Sequence, residues 1–295
     1  MGANQSKIRC MNRILGILLI IISAAGFGTL GIFGRFAYAN GLDIFTFLFL
    51  RFTIAAIIMT ILLRVRKEAF PRGKVLWQLV GMGAIGYVGQ SYSYVSAVKY
   101  ASAGLVALLL YLYPVIVAAL SAIFLKERFN RWKILALALA LVGTALTARP
   151  EGGSWRGIVL ALSAAVIYSG YIIVSAGVMK HVSAFQSSMV IFASAGLVYA
   201  ALTIINGPHL PQTNTGWVMV LGTVIFATIV PVSTFLAGLK LVGPTNASML
   251  STFEPVVTVI LAAILFGEQL SATSLLGGGL ILAAVIVLTR AETQT

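Results

Sequence analysis

Apolar residues run along this chain in blocks, and polar residues gather in short stretches between them. A block of about twenty is what an α-helix needs to cross a bilayer at roughly 1.5 Å per residue. Ten blocks qualify: residues 14–34, 44–63, 75–97, 102–124, 132–148, 157–178, 186–206, 216–237, 247–265 and 272–289. None alternates apolar with polar positions, so the strands of a closed barrel are excluded. Helices satisfy their own backbone in lipid. The pattern predicts an all-α integral membrane protein with ten transmembrane helices. Lys7, Arg9 and Arg13 precede the first block as in a signal peptide, but nine more blocks make it an uncleaved first helix.

Composition strengthens this. Hydrophobic residues make up 60% of the chain, charged residues 9%, and the mean hydropathy is +1.02. A soluble domain carries about 25% charged residues. The net charge of +13 does not form a nucleic-acid patch, because the basic residues punctuate the apolar blocks. Fifteen lie on one side: Lys7, Arg9, Arg13, Arg64, Arg66, Lys67, Arg72, Lys74, Lys126, Arg128, Arg131, Lys133, Lys180, Lys240 and Arg290. Arg35, Lys99, Arg149 and Arg156 lie on the other, and Arg51 falls within a span. This bias predicts a cell-membrane protein with both termini in the cytoplasm. Cys10 is the only cysteine, so no internal disulfide forms.

The chain also matches itself at a shift of 141 residues. YPVIVAALSAIFLKE, from Tyr113, lies over EPVVTVILAAILFGE, from Glu254. Pro114 falls on Pro255, Glu127 on Glu268 and Lys99 on Lys240; Phe52 meets Phe192 after a one-residue slip. The halves are residues 14–148 and 155–290, each with five spans. Five is odd, so the second half enters the membrane from the opposite side. Inverted repeats are the architecture of many secondary transporters, with a midplane site and alternating access.

FLFLRF (Phe47–Phe52), AVKYASAGLVALLLYLYPV…LKE (from Ala97) and GLKLVGPTNASMLSTFEPV…FGE (from Gly238) carry a family likeness. In these stretches the chain resembles a ten-helix member of the drug/metabolite transporter superfamily, of the EamA type. The resemblance covers residues 14–290. It implies two five-helix halves and export of amino acids or other small metabolites. It also implies that spans 5 and 10 are peripheral while spans 1–4 and 6–9 enclose the cavity.

The candidate site starts from an acid in hydrocarbon. Glu254 lies about 12 Å into its span at 1.5 Å per residue. A carboxylate there costs about 2.5–3.5 kcal/mol on insertion scales. It is either a proton or amine site, or a structural carboxyl with a helix partner such as Arg51. Tyr113 is its counterpart in the first half. Pro255 leaves the Ser251 carbonyl without a helical donor, and Pro114 does the same for Leu110. Matched interruptions point to hinges beside a transport site.

Tyr87, Gln90, Ser91 and Tyr94 share one helical face, as do Tyr168, Tyr171 and Ser175. Ser248, Ser251 and Thr252 add hydroxyls near Glu254. Such faces suit either a pocket or polar contacts between helices. Arg51 reads as a counter-charge, as a snorkelling cation, or as a partner for a substrate carboxylate. Glu127 and Glu268 read as solvated turn residues, and Lys99 and Lys240 as gate or interfacial residues.

GFGTLG (Gly26–Gly31) spells a dinucleotide fingerprint but lies inside a span, where no strand precedes it. No cofactor or metal is expected. His181 and His209 fall on opposite sides and Asp43 is the sole aspartate, which argues against an embedded enzyme. The expected function is secondary transport, with export of small amphipathic metabolites such as apolar or aromatic amino acids. A passive channel is the alternative. The partners expected are a small-molecule substrate and the bilayer, and the chain acts as a monomer or homodimer.

Overall fold

The computed structural model describes residues 3–127, 129–148, 153–267 and 269–293. Arg128, Arg149 and Glu268 lie outside the described residues. The ten spans are helices. Label α1 covers Ala3–Gly28 and Leu30–Ala39; α2, Ile44–Val65; α3, Gly73–Gly81, Met82–Tyr87 and Val88–Val98. Next come α4 (Ala103–Leu110 and Tyr113–Phe124), α5 (Arg131–Ala148), α6 (Trp155–Val178) and α7 (Ala184–Asn206). The chain continues with α8 (Asn214–Val224, Ile225–Ile229 and Val230–Val242), α9 (Pro244–Ser251 and Glu254–Phe266) and α10 (Ala272–Thr293). Among the described residues there is no strand, only an isolated bridge between Ala101 and Gly153.

Nine of these helices, all but α3, are long and apolar enough to cross a membrane. The exception is continuous, but its glycines, Gln90, serines and tyrosines dilute its hydropathy. Of these, Gly86, Tyr87, Gln90, Ser91 and Tyr94 face the interior, as described below.

Irregularities recur at matched places. α4 breaks at Tyr111–Leu112 and α9 at Thr252–Phe253, each just before its proline. α3 widens to a π-helix over Met82–Tyr87 and α8 over Ile225–Ile229. A π-turn leaves the α-helical bonding ladder interrupted and often marks a functional site. The second spans are capped alike. The Asp43 carboxylate accepts from the Phe45 and Thr46 amides at 2.8 and 3.2 Å, and Ser183 forms a capping box with Gln186.

The two halves interlock. α2 packs on α7, α1 on α8, α6 on α3, and α5 on α10, so first and third spans pair across the repeat. At the α5–α10 crossing, a Cβ on Gly143 would sit 2.6 Å from the Gly277 carbonyl oxygen, and one on Gly277 2.5 Å from that of Gly143. Only glycine allows those backbones to meet.

Polar contacts tie the connecting loops at each end. At the end carrying the chain termini, Ser183 donates to the Glu68 carboxylate, Gln186 to the Ala69 carbonyl and Thr245 to Glu127. At the far end, Thr213 donates to Asn40 at 2.6 Å, and the His209 amide to Thr46 at 3.0 Å. His181 and His209 thus stand at opposite ends. Glu127 is no solvated turn residue. It also takes Lys133 at 2.8 Å, and its side chain is only 22% exposed.

Candidate functional site

Between the halves lies a cavity of about 480 Å³. Its wall runs from the mid-bundle residues Arg51, Tyr87, Tyr113, Tyr171 and Glu254 towards Arg35, Tyr38, Ile44, Val95 and Ala148 near the far end. On the terminus side of this floor, Met59, Val117, Leu236, Met249 and Leu250 are buried.

The helix breaks position the floor. Glu254 opens the second half of α9, because the Thr252–Phe253 turn and Pro255 restart the helix there. At the matching position of α4, Tyr113 opens Tyr113–Phe124. Its buried hydroxyl donates to the Ser248 carbonyl at 3.2 Å, tying α4 to α9. The Tyr111 side chain, on the α4 turn, approaches the Glu254 carboxyl.

Aromatic rings make a connected arc around the floor. Phe52 meets Tyr87 edge-on at 5.1 Å, and Tyr87 meets Tyr171 at 6.0 Å. Tyr171 stacks on Tyr168 at 6.0 Å, and Tyr168 meets Tyr113 at 4.8 Å. Tyr111 closes the arc against Tyr113 at 6.3 Å. Every centroid separation lies within or near the range where aromatic pairs attract. Four helices contribute, and Glu254 enters from a fifth, α9.

Arg51 is 3% exposed and points across to α8. Its Nε donates to the Thr228 hydroxyl at 2.6 Å and its Nη2 to the Ala227 carbonyl at 3.0 Å. Pro231, four residues beyond Ala227, has no N–H to give that carbonyl. The sequence left snorkelling open; the structure excludes it, since the guanidinium fills an acceptor site inside the bundle. No ion pair joins it to Glu254 among the described residues.

The remaining sequence candidates are placed as follows. Gln90, Ser91, Tyr94 and Pro255 line the cavity with the arc tyrosines. The Ser91 hydroxyl is turned back to the Tyr87 carbonyl at 2.8 Å. Ser251 and Pro114 are buried behind the wall, and the Ser251 hydroxyl returns to Ala247 at 2.9 Å. Lys99 and Lys240 are exposed.

Two expectations need correction. α5 is not wholly peripheral, because Thr144, Thr147 and Ala148 reach the cavity, whereas α7 and α8 contribute no lining residue. α7 and α8 lie one layer back, where Thr228 and Ala227 hold Arg51. Sequence reasoning also missed Tyr111. Its signal was the YLYP stretch, with a tyrosine three residues before a proline, on the turn that breaks α4.

Comparison with known proteins fits this geometry. The EamA-like transporter family matches residues 14–149 and again 155–290. An uncharacterized transporter of Archaeoglobus fulgidus is 30% identical over 281 residues, covering 95% of this chain and 97% of its own. The uncharacterized transporter YcbK of Bacillus subtilis is 22% identical, covering 93% and 92%. A chain of known crystal structure, 21% identical, shares the fold with a TM-score of 0.82 over 95% of this chain and 98% of its own. With both halves matching one family model, and nine helices among the described residues long and apolar enough to cross a membrane, this chain belongs to the EamA-like transporter family as a multi-pass membrane protein.

Proposed function

We propose that the protein is a secondary carrier that exports small amphipathic metabolites by alternating access, with apolar and aromatic amino acids the first solutes to test. The observation that carries this reading is the contrast between the two ends of the bundle. Both halves line a cavity that runs towards the far end, and both supply the buried residues Met59, Val117, Leu236, Met249 and Leu250 on the terminus side of its floor. Exchanging the two packings would move the same floor residues from one face to the other without a new fold. A channel would need a continuous path, and the buried layer below Glu254 interrupts it.

The excess of lysine and arginine at the terminus end supports cytoplasmic termini and a cell-membrane location. The cavity then faces outward in this conformation. The volume lies within the ~300–1,000 Å³ of small-molecule sites. Counterflow in proteoliposomes preloaded with single amino acids tests the proposal. Labelled solute should accumulate only opposite a preloaded substrate. Flux that neither saturates nor responds to preloading would sink the carrier reading in favour of a channel.

A further inference from the structure

Glu254 brings a carboxylate into a cavity where no described lysine or arginine pairs with it. Arg51, the cation nearest the floor, already spends Nε and Nη2 on Thr228 and Ala227. Arg35 stands at the far-end rim over the Phe266 ring, 4.2 Å from its centroid. A buried acid without a cation is a costly arrangement unless a proton or a ligand completes it.

What surrounds the acid says which ligand. Tyr87, Tyr94, Tyr111, Tyr113 and Tyr168 line the same cavity as Glu254. Aromatic faces attract cations, by about 0.5–2 kcal/mol each when desolvated. A carboxylate beside a curved arc of such rings is the chemistry that holds an ammonium group. The same arc offers apolar surface to the body of the ligand.

Resting on the carrier reading, we propose that the recognised group is the ammonium, held between Glu254 and the rings of Tyr87, Tyr111, Tyr113 and Tyr168. The preferred substrates are therefore small monocationic amines with an apolar or aromatic body. An amino acid brings a second group, its carboxylate, into the field of Glu254. Arg51, the guanidinium nearest the floor, directs its Nε and Nη2 to α8 and not to the arc. Amines lacking the carboxylate bind more tightly than their parent amino acids.

Three probes of one shape separate the possibilities: 2-phenylethylamine, L-phenylalanine and 3-phenylpropionate, titrated calorimetrically into the purified full chain. The amine should bind most tightly and 3-phenylpropionate least. Glu254→Gln should weaken the amine by more than about tenfold, the loss expected when one partner of a buried charge pair is removed. Glu254→Asp, which keeps the charge, should retain part of the affinity and shows that the fold survives at this position.

Equal or tighter binding of phenylalanine or 3-phenylpropionate overturns the assignment. So does amine binding indifferent to Glu254→Gln, or no binding of any probe. Counterflow with the same probes keeps the two readings apart. An amine that binds but is not exchanged refutes the carrier while the site stands. Exchange of phenylalanine alone keeps the carrier and refutes the amine site.

Discussion

The Arg51 guanidinium donates at 3.0 Å to the Ala227 carbonyl, the acceptor that Pro231 leaves without a helical donor. A proline in one half of the bundle is thus completed by an arginine from the other. Arg51→Leu should strand that carbonyl, at a cost of about 1–3 kcal/mol for a buried polar group left unpaired, while the Thr228 hydroxyl keeps its bond to the Thr223 carbonyl at 2.9 Å. In a Pro231→Ala background, the restored N–H offers the helix its own donor, so the Arg51→Leu penalty should shrink. Thermal unfolding of the four proteins in one detergent measures this coupling. Strictly additive melting shifts would disprove it.

Gly143 and Gly277 place α5 and α10 in backbone contact. Gly277→Val should separate them and destabilise the protein by about 1–3 kcal/mol, the usual cost of overpacking. Gly278→Val is the control, because nothing lies within 4 Å of a Cβ there. Comparable melting temperatures for the two variants would contradict the crossing.

Glu127 latches the terminus end by accepting from Lys133 and Thr245 at 2.8 and 2.7 Å. Glu127→Ala should loosen the α4–α5 and α8–α9 loops and expose the layer beneath the cavity floor. In a Cys10→Ser background, a cysteine at the buried Ala247 should then react faster with an impermeant maleimide supplied from the terminus side. Unchanged labelling would mean that the apolar layer alone closes this end.

Asp43 supplies an acid-sensitive element at the far end. Burial pushes its carboxyl up, but donors from Thr46 and Phe45, together with His209, outweigh burial and hold it below its ordinary value of 3.8. A carboxyl lowered on folding contributes stability above its unfolded value, and that contribution fades as pH falls through the folded value. The wild type should lose melting temperature faster than Asp43→Asn as pH drops below about 4. Parallel pH curves for the two proteins would refute the assignment.

Much of the architecture was legible because a bilayer imposes simple demands. Span length, helical structure and the odd number of spans per half follow from apolar blocks and a shifted self-match. Pro114 and Pro255 announced the helix breaks because a missing N–H is a property of the residue itself. Glu254 stood out for a similar reason, as an acid whose burial in hydrocarbon is costly wherever the chain goes.

The sequence by itself therefore determined the helices, their inverted order and the residues that do not belong in lipid. Tertiary structure alone decided which of these meet. The sequence could not reveal that Arg51 is taken by Ala227 and Thr228 across the repeat, that Ser251 lies behind the wall while Tyr111 lies before it, or that Glu127 reaches Thr245. Each depends on the rotation of one helix against another. A turn of 100° per residue moves a side chain from wall to interior, and the packing of distant helices sets that rotation.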